Sequence, residues 1–218
     1  MQAKAYKGMG MEGRIAKWYA ANTRKVMKDY HAAAAKAAGG LPLGSCVLEV
    51  APGPGYFAIE LAKLGNYKIT GLDISKTFVD LARKNAEKEG AEIDFRQGNA
   101  AQMPFASDSF DLIFCRAAFK NFAEPAAALK EMYRVLRAGG KALIIDLRRD
   151  APKKAIDIAV DRMDLGAVNS VITKWTFRLM LIKRAYTRDE FNRFIAESGF
   201  RKVDIQDTPT GFEISLFK

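Results

Sequence analysis

Residues 46 to 62 constrain the fold of this chain more than any other stretch. They read Cys-Val-Leu-Glu-Val-Ala-Pro-Gly-Pro-Gly-Tyr-Phe-Ala-Ile-Glu-Leu-Ala, an apolar run followed by two glycines and then by apolar residues at helical spacing. A continuous apolar run is typical of a strand buried in a parallel sheet, and glycines permit a tight turn. The stretch therefore predicts a strand, a turn at Gly53 and Gly55, and a helix.

A strand, a glycine turn and a helix in this order are typical of a site for a nucleotide-like cofactor. Glycine lets a ligand approach the backbone closely, and the free N–H groups at the start of the helix point towards it. Ala58 completes a permissive Gly-x-Gly-x-x-Ala pattern, and Asp73 follows at a distance suited to holding ribose hydroxyls. The glycines alone do not separate NAD from S-adenosylmethionine, and such a turn also occurs for geometric reasons only.

The 218 residues and their charges suit one α/β domain with some elaboration. The formal net charge is +10, and residues 1–40 carry eight Lys and Arg against two Asp and Glu. A solvated helical face explains this excess better than a nucleic-acid surface does.

No apolar run is long and charge-free enough to span a membrane, and the N-terminus has no apolar signal region. We therefore expect a cytoplasmic protein. Cys46 and Cys115 lie in apolar patterns without a CxxC or His neighbour, so we expect buried free thiols and no metal site.

The hydrophobic pattern predicts a doubly wound α/β fold. Apolar runs alternate with helical patterns through residue 147, and two alternating strands follow near the C-terminus. The predicted strands cover residues 46–51, 67–73, 92–98, 110–116, 141–147, 200–207 and 212–217. The predicted helices of the core cover residues 55–65, 75–89, 124–137, which stops at the pair Gly139 and Gly140, and 187–199, which opens on a capping box. The sheet is thus seven-stranded and mostly parallel, with an antiparallel C-terminal hairpin.

Helical segments flank this core and divide the single domain into four parts. Residues 1–40 form an N-terminal helical cap, with its helix at 12–38, and residues 41–149 form the cofactor-binding core. Residues 150–184 are a helical insertion after the fifth strand, and residues 185–218 are the last helix and the hairpin. An insertion after a strand's carboxyl end hangs over the ligand crevice of such a sheet, so it is expected to act as a lid.

Five segments of the core resemble, in order, the successive motifs of class I S-adenosylmethionine-dependent methyltransferases. They span residues 47–56, 71–75, 97–105, 110–116 and 135–143, and they are most like the group that includes ubiquinone and menaquinone biosynthesis methyltransferases. The resemblance covers about residues 45–147 and implies a Rossmann-like fold with S-adenosylmethionine as cofactor. Five motifs in register favour this cofactor over NAD.

The resemblance also implies a role for individual residues. Glu49 would begin the glycine motif, and the backbone at Ala51, Gly53 and Gly55 would lie against the methionine part of the cofactor. Asp73 would accept hydrogen bonds from both ribose hydroxyls, since a carboxylate offers several lone pairs. The remaining predicted cofactor contacts are Ile74 on the adenine face, Asn99 and Ala100 on its edge, and Arg116 beside the cofactor. Helix capping by Asp73, turn formation by Asn99 and a surface ion pair of Arg116 are the structural alternatives.

Two departures from the family pattern affect the site. Ala51 stands where the family usually has its first glycine, which is tolerable if Ala51 keeps an extended conformation. The segment Phe119-Lys-Asn-Phe122 stands where relatives often have a histidine pair, so a base found there in some relatives is missing.

Methyl transfer from a sulfonium needs alignment and exclusion of water, and a base only if the acceptor must lose a proton. The catalytic candidates are His31 and Tyr19 on the N-terminal segment and Arg148 after the fifth strand. Each has a structural alternative: a surface position for His31, core packing for Tyr19 and a solvated pair for Arg148 with Arg149.

The chain is thus predicted to transfer a methyl group to a small hydrophobic or aromatic acceptor. The insertion, with its apolar and cationic helix at residues 171–184, supplies the acceptor wall, and the same composition suits peripheral contact with a membrane. The alternatives are an RNA methyltransferase, an NAD-dependent oxidoreductase, and a cofactor-binding or membrane-surface protein without turnover. An exposed aromatic N-terminal helix is also compatible with a homodimer.

Overall fold

A seven-stranded sheet forms the centre of the part of the chain that the structure, a computed structural model, describes: residues 6–7, 11–23, 27–161, 166–177 and 181–218. Its strands are β1 (Cys46–Val50), β2 (Lys68–Asp73), β3 (Asp94–Gln97), β4 (Phe110–Arg116), β5 (Leu136–Leu147), β6 (Lys202–Asp207) and β7 (Gly211–Phe217). They lie in the order β3-β2-β1-β4-β5-β7-β6. Strand β7 is antiparallel to β5 and β6, and the other neighbours are parallel. The predicted mostly parallel sheet with an antiparallel hairpin is confirmed.

Helices cover both faces of this sheet and follow the strands in the predicted alternation. They are α1 (Gly13–Thr23), α2 (Met27–Ala38), α3 (Tyr56–Ala62), α4 (Lys76–Lys88), α5 (Pro125–Val135), α6 (Lys153–Asp161), α7 (Ala167–Thr176), α8 (Ile182–Arg184) and α9 (Arg188–Ser198). Two clusters of buried apolar side chains, one on each face, bury the strands on both sides. Burial on both faces explains why the strand sequences are continuous apolar runs.

Local capping chemistry sets several helix boundaries. The Ser75 hydroxyl oxygen accepts a hydrogen bond of 3.1 Å from the Phe78 nitrogen at the start of α4. Thr187 and Glu190 form the predicted capping box of α9, and Gly199 ends that helix with φ 104°. Both boundaries were predictable because capping depends on residues only three or four apart.

The end of α5 differs from the prediction. The helix ends at Val135 rather than at residue 137, and β5 begins at Leu136 rather than at residue 141. Leu136 is fully buried and pairs with Phe110 of β4, after which the register between the two strands shifts. Burial of this leucine draws the chain into the sheet early, and the glycines accommodate the irregularity that follows.

The two flanking segments are mainly helical in their described parts. Helices α1 and α2 fall within the predicted N-terminal helix at 12–38, whose residues 24–26 lie outside the described part. Helices α6, α7 and α8 fall within the insertion. Residues 162–165 and 178–180 of the insertion lie outside the described part. Helix α2 packs on α3, and α1 packs on α4.

The strand order locates the ligand crevice. The chain leaves β1 towards β2 on one side, and β4 lies on the other side. Such a reversal opens a crevice at the carboxyl ends of the two central strands, where ligands of α/β sheets bind.

Candidate active site

The glycine turn after β1 forms the floor of this crevice. Gly53 and Gly55 have φ values of 54° and 80°, in the left-handed region that favours glycine, and Gly55 caps α3. A Cβ on Gly55 would lie 2.8 Å from Cζ of Phe95, whereas a Cβ on Gly53 would meet no atom within 4 Å. Gly55 is therefore required for packing, and Gly53 borders open space.

Asp73, the last residue of β2, is bonded to this turn. Its Oδ2 accepts a hydrogen bond of 3.0 Å from the Gly53 nitrogen, and its Oδ1 accepts one of 2.9 Å from the Ser75 nitrogen. The residue is only 5% exposed, and burial raises its pKa to about 6, although these two hydrogen bonds oppose the rise. Each oxygen keeps a lone pair for a further donor.

Glu49 and Ala51 are the two predicted cofactor residues that precede Gly53. The condition under which alanine is tolerable at position 51 is not met, because Ala51 has a φ of 58°, in the left-handed region that favours glycine, rather than an extended conformation. The side chain of Glu49 is buried and accepts a hydrogen bond of 3.2 Å from the Ala58 nitrogen in α3. Burial raises the pKa of Glu49 to about 8, and the charge of Asp73 adds to the rise.

Three further predicted cofactor residues lie on the turns after β2 and β3. Ile74 directly follows Asp73 and is 39% exposed. Asn99 forms a turn, because its Oδ1 accepts a hydrogen bond of 3.0 Å from the Ala101 nitrogen. Ala100 is partly buried against the core. The side-chain oxygen of Asn99 thus already has a backbone partner.

Arg116 ends β4 on the opposite side of the crevice. Its guanidinium carbon lies 4.8 Å from the centroid of the Tyr30 ring, and its Nη2 lies 3.6 Å from Oδ2 of Asp29. Its Nη1 is buried and has no hydrogen-bond partner among the described residues. A buried donor without a partner is costly, so this atom is a candidate ligand contact.

The three catalytic candidates differ in their burial and contacts. Tyr19 packs edge-on against Phe78, with 5.8 Å between ring centroids, and burial raises its pKa while the charge of Arg116 opposes the rise. His31 is 61% exposed and its Nδ1 lies 2.9 Å from Oε2 of Glu60 on α3. Tyr19 is therefore brought to the crevice, whereas His31 faces solvent.

Arg148 forms ion pairs with two carboxylates. Its Nε and Nη2 each lie 2.7 Å from an oxygen of Asp150, and its Nη1 lies 3.2 Å from Oδ2 of Asp207. A guanidinium paired with two carboxylates has little capacity left for an anionic acceptor.

A buried ion pair at the ends of β4 and β5 was missed by the sequence reasoning. Lys120 and Asp146 are 4% and 6% exposed, and Nζ of Lys120 lies 3.0 Å from Oδ1 of Asp146. The same ammonium donates to the carbonyl oxygen of Ala117, whose φ is 56°. The only sequence signal was a lysine between buried aromatic residues, and its partner lies 26 positions later.

Asn121, next to Lys120, carries a second unsatisfied polar atom. The residue is 8% exposed, and its Oδ1 has no hydrogen-bond partner in the described part of the chain. Its backbone oxygen accepts a hydrogen bond of 2.8 Å from the Lys7 nitrogen, so the N-terminal segment reaches this side of the crevice. The segment after β4 therefore presents an unpaired donor at Arg116 and an unpaired acceptor at Asn121.

Two other classes of site are absent from the described residues. They contain no helix long and apolar enough to cross a membrane. They also contain no group of three or more His, Cys, Asp or Glu side chains arranged to hold a metal ion.

Comparisons with known proteins agree with this architecture. Residues 48–144 match the family model described as "Methyltransferase domain". A demethylmenaquinone methyltransferase of Chlorobaculum parvum is 30% identical over 176 residues, which cover 78% of this chain and 70% of the relative. The mitochondrial 2-methoxy-6-polyprenyl-1,4-benzoquinol methylase of Caenorhabditis elegans is 27% identical over 199 residues, which cover 86% of this chain and 68% of the relative.

Solved structures extend the agreement to nearly the whole chain. The crystal structure of a putative S-adenosyl-L-methionine-dependent methyltransferase from Methanococcus maripaludis superposes with a TM-score of 0.75 at 22% identity. The match covers 99% of this chain and 97% of that one, which supports the fold. With the glycine turn, the acid after β2 and a relative aligned over most of its length, the chain belongs to the class I S-adenosylmethionine-dependent methyltransferases and resembles their ubiquinone and menaquinone biosynthesis group.

Proposed function

We propose that this methyltransferase acts on a small, apolar acceptor with an aromatic hydroxyl group, of the quinol type. The cofactor is held between the Gly53 turn and Asp73, with Ile74 against the adenine. The acceptor lies at the end of β4, near Arg116 and Asn121. RNA as the acceptor and NAD as the cofactor are not favoured. The relatives described above are named as a methyltransferase and a methylase, and the acceptors in their names are quinone-type compounds.

The residues at the cofactor position fit an adenosyl group. Asp73 has a lone pair free on each oxygen for the ribose hydroxyls, and the exposed face of Ile74 offers an apolar surface for a base. The space beside Gly53, which a Cβ would enter, allows close approach of the methionine part. When bound, the cofactor supplies an electrophilic methyl group on a sulfonium.

The observation that carries the acceptor assignment is a buried donor at the end of β4 and a buried acceptor shortly after it, neither of which has a hydrogen-bond partner among the described residues. A hydroxyl group both donates and accepts, so one could satisfy Oδ1 of Asn121 while another, or its ionised form, accepts from Nη1 of Arg116. The rings of Tyr19 and Tyr30 lie near Arg116 and add an aromatic wall. A flat, oxygenated ring suits such a wall better than a polar aliphatic acceptor does.

The protein contributes alignment, exclusion of water and charge to the transfer. The N-terminal helices cover the glycine turn, whose residues 52–55 are buried. The positive charge of Arg116 lowers the pKa of a nearby hydroxyl and so favours the ionised acceptor, which is the better nucleophile. Lys120 and Asp146 hold the segment after β4 in place, and Tyr19 orients the acceptor.

The test is a transfer assay with methyl-labelled S-adenosylmethionine and a short-chain naphthoquinol, its oxidised quinone, a catechol and tRNA as acceptors. We expect product with the quinol and none with the quinone, because the quinone has no hydroxyl to ionise. Arg116→Met should raise the acceptor KM or lower kcat by about 10-fold or more, the size of one lost charged hydrogen bond. Transfer to tRNA alone, or equal transfer to quinol and quinone, would contradict the proposal.

We also propose that the protein works in the cytoplasm in peripheral contact with a membrane, where a lipophilic acceptor would be found. Support comes from α6 and α7, which contact each other and expose three large apolar side chains. Ile158, Val171 and Trp175 are 44%, 67% and 59% exposed, and Lys153 and Lys154 are exposed at the start of α6. Apolar side chains beside lysines suit an anionic lipid surface.

Sedimentation with vesicles tests this contact. We expect binding to phosphatidylglycerol-containing vesicles, weaker binding to phosphatidylcholine alone, and loss of binding in Trp175→Glu. A homodimer through the same face is the alternative. It would appear in light scattering as a doubled mass that Trp175→Glu halves, with no binding to vesicles.

A further inference from the structure

Glu12 caps helix α4 from outside that helix and outside the methyltransferase motifs. Its carboxylate accepts hydrogen bonds of 2.9 Å from the Lys76 nitrogen and 3.0 Å from the Thr77 nitrogen, and it also accepts from the Thr77 hydroxyl. The first N–H groups of a helix have no partner within the helix. Glu12 supplies that partner from a position 64 residues earlier in the chain, and a carboxylate there also suits the helix dipole.

The neighbours of Glu12 complete the joint between the N-terminal segment and α4. The Ser75 hydroxyl donates a hydrogen bond of 2.7 Å to the carbonyl oxygen of Met11, and the Gly13 nitrogen donates one of 3.0 Å to Oγ1 of Thr77. Three consecutive residues therefore contact residues 75–77. Because the Ser75 nitrogen also donates to Asp73, this joint is one hydrogen bond away from the carboxylate at the cofactor position.

The described residues of this N-terminal segment, 6–7 and 11–23, attach to elements around the crevice. The Tyr56 hydroxyl, at the start of α3, donates a hydrogen bond of 3.0 Å to the carbonyl oxygen of Ala20 in α1. The Lys7 nitrogen donates a hydrogen bond to the backbone oxygen of Asn121 after β4, while residues 11–13 form hydrogen bonds with residues 75–77 at the start of α4, after β2. Since β1 lies between β2 and β4, these attachments flank the glycine turn, and Asp73 is left only 5% exposed.

Electrostatics connect Glu12 with Asp73. The charge of Glu12 adds to the effect of burial in raising the pKa of Asp73. Burial pushes the pKa of Glu12 itself upwards, but the hydrogen bonds from Thr77 and Lys76 outweigh it and lower that pKa. Glu12 is therefore charged at neutral pH, and the carboxyl group of Asp73 responds to that charge.

We propose that Glu12 is a positioning residue for the cofactor: it holds the N-terminal segment against α4, orients Asp73 through Ser75, and so limits how fast the cofactor leaves. The proposal rests on the cofactor half of the proposed function and not on the identity of the acceptor. Residues 11–23 are the part of the segment that the Glu12 joint holds in place, beside the position between the glycine turn and Asp73 from which a bound ligand would leave.

The first test measures release of radiolabelled S-adenosylhomocysteine after rapid dilution. We expect Glu12→Ala to speed release about tenfold, the size of one hydrogen bond to a charged group, and Glu12→Gln to speed it by a smaller factor. Glu12→Asp should recover part of the slow release. The matched control is Glu87→Gln, an exposed acid near the other end of α4, which should leave release unchanged.

The second test is the pH dependence of S-adenosylhomocysteine affinity, which a purely structural role of Glu12 would not move. Affinity should rise as Asp73 ionises, with a midpoint near its pKa of about 6. Without the charge of Glu12 that midpoint should move to lower pH in Glu12→Gln. Release at the wild-type rate with an unmoved midpoint would overturn the proposal.

Two controls keep the outcome interpretable. If Glu12→Ala does not fold, Thr77→Val keeps the acid, removes the hydroxyl that bonds Gly13 and Glu12, and should give intermediate release. If Thr77→Val folds, and both it and Glu12→Gln release S-adenosylhomocysteine at the wild-type rate, the proposal is overturned. If Asp73→Ala binds S-adenosylhomocysteine as well as the wild type does, the failure lies in the cofactor site itself and not in Glu12.

Discussion

Oδ2 of Asp73 accepts a hydrogen bond of 3.0 Å from the backbone nitrogen of Gly53, so the acid that ends β2 is joined directly to the glycine turn that follows β1. The two residues are 20 positions apart in sequence; Asp73 ends β2, and Gly53 lies in the turn after the neighbouring parallel strand β1. The bond orients the carboxylate before any ligand is present. A preoriented acceptor loses less conformational freedom on binding.

Replacing Asp73 with alanine should weaken S-adenosylhomocysteine binding by at least about 1–3 kcal/mol, because a charged acceptor of ribose hydroxyls is lost. Asp73→Asn should lose less, since it keeps the shape and one acceptor oxygen. Calorimetry with S-adenosylmethionine, S-adenosylhomocysteine and NAD measures the effect, and NAD should not bind. Asp94→Ala, at an exposed acid on β3, is the control; unchanged affinity in Asp73→Ala would remove Asp73 from the site.

Alanine at the two glycines should separate binding from folding. Gly55→Ala should lower the free energy of unfolding strongly, because its Cβ would lie 2.8 Å from Phe95 in a buried contact. Gly53→Ala should fold more nearly normally but bind cofactor at least about tenfold more weakly, since its Cβ would enter the space beside the turn. Urea denaturation and calorimetry on both variants distinguish the effects. An equal loss in the free energy of unfolding of the two variants would contradict the interpretation that Gly53 borders open space.

Stability of the ligand-free protein should fall as pH rises from about 5 to about 8. Burial raises the pKa of Asp73 to about 6 and that of Glu49 to about 8, so both bind a proton more tightly when folded. Their contribution is fully present below the unfolded values of about 4 and is lost as pH passes the folded values. Glu49→Gln should flatten the slope in urea denaturation between pH 6 and 8. An unchanged slope would show that Glu49 is not the titrating group.

Lys120→Met should reduce the free energy of unfolding by about 3–5 kcal/mol, because it leaves the buried charge of Asp146 without its partner. Asp146→Asn in the same chain should recover part of that loss, since the uncompensated charge disappears. Urea denaturation of the two single variants and the double variant measures the coupling between the side chains. Additive losses would mean that the pair is not coupled, despite the 3.0 Å contact.

Ala51→Gly should leave the protein at least as stable as the wild type. The left-handed conformation costs an alanine about 1–2 kcal/mol, and glycine gives back about 0.5–1 kcal/mol of that through its greater freedom when unfolded. The control is Ala35→Gly in the exposed face of α2, which should lose about 1 kcal/mol. Equal losses at the two positions would argue against strain at Ala51.

The family resemblance and the local patterns predicted the core well. The periodicity of residues 46–147 located the five strands of the core and the helices between them, although helix α5 ended earlier than its glycines indicated. The glycine turn and Asp73 were predicted together, and the structure joins them. Asn99, His31 and Arg148 show the limit, because turn formation, exposure and ion pairing of a side chain depend on neighbours that a local pattern does not identify.

By itself, the sequence determined the strand and helix order, the caps at Ser75 and Thr187, and the position of the glycine turn. These follow from backbone preferences and hydrophobic periods that act over a few residues. Only the tertiary structure decided that Glu12 caps α4, that Lys120 pairs with Asp146, and that Nη1 of Arg116 has no partner within the described parts of the chain. The partners in the Lys120 and Glu12 contacts lie 26 to 65 residues apart, and their meeting depends on how the whole sheet and its covering helices pack.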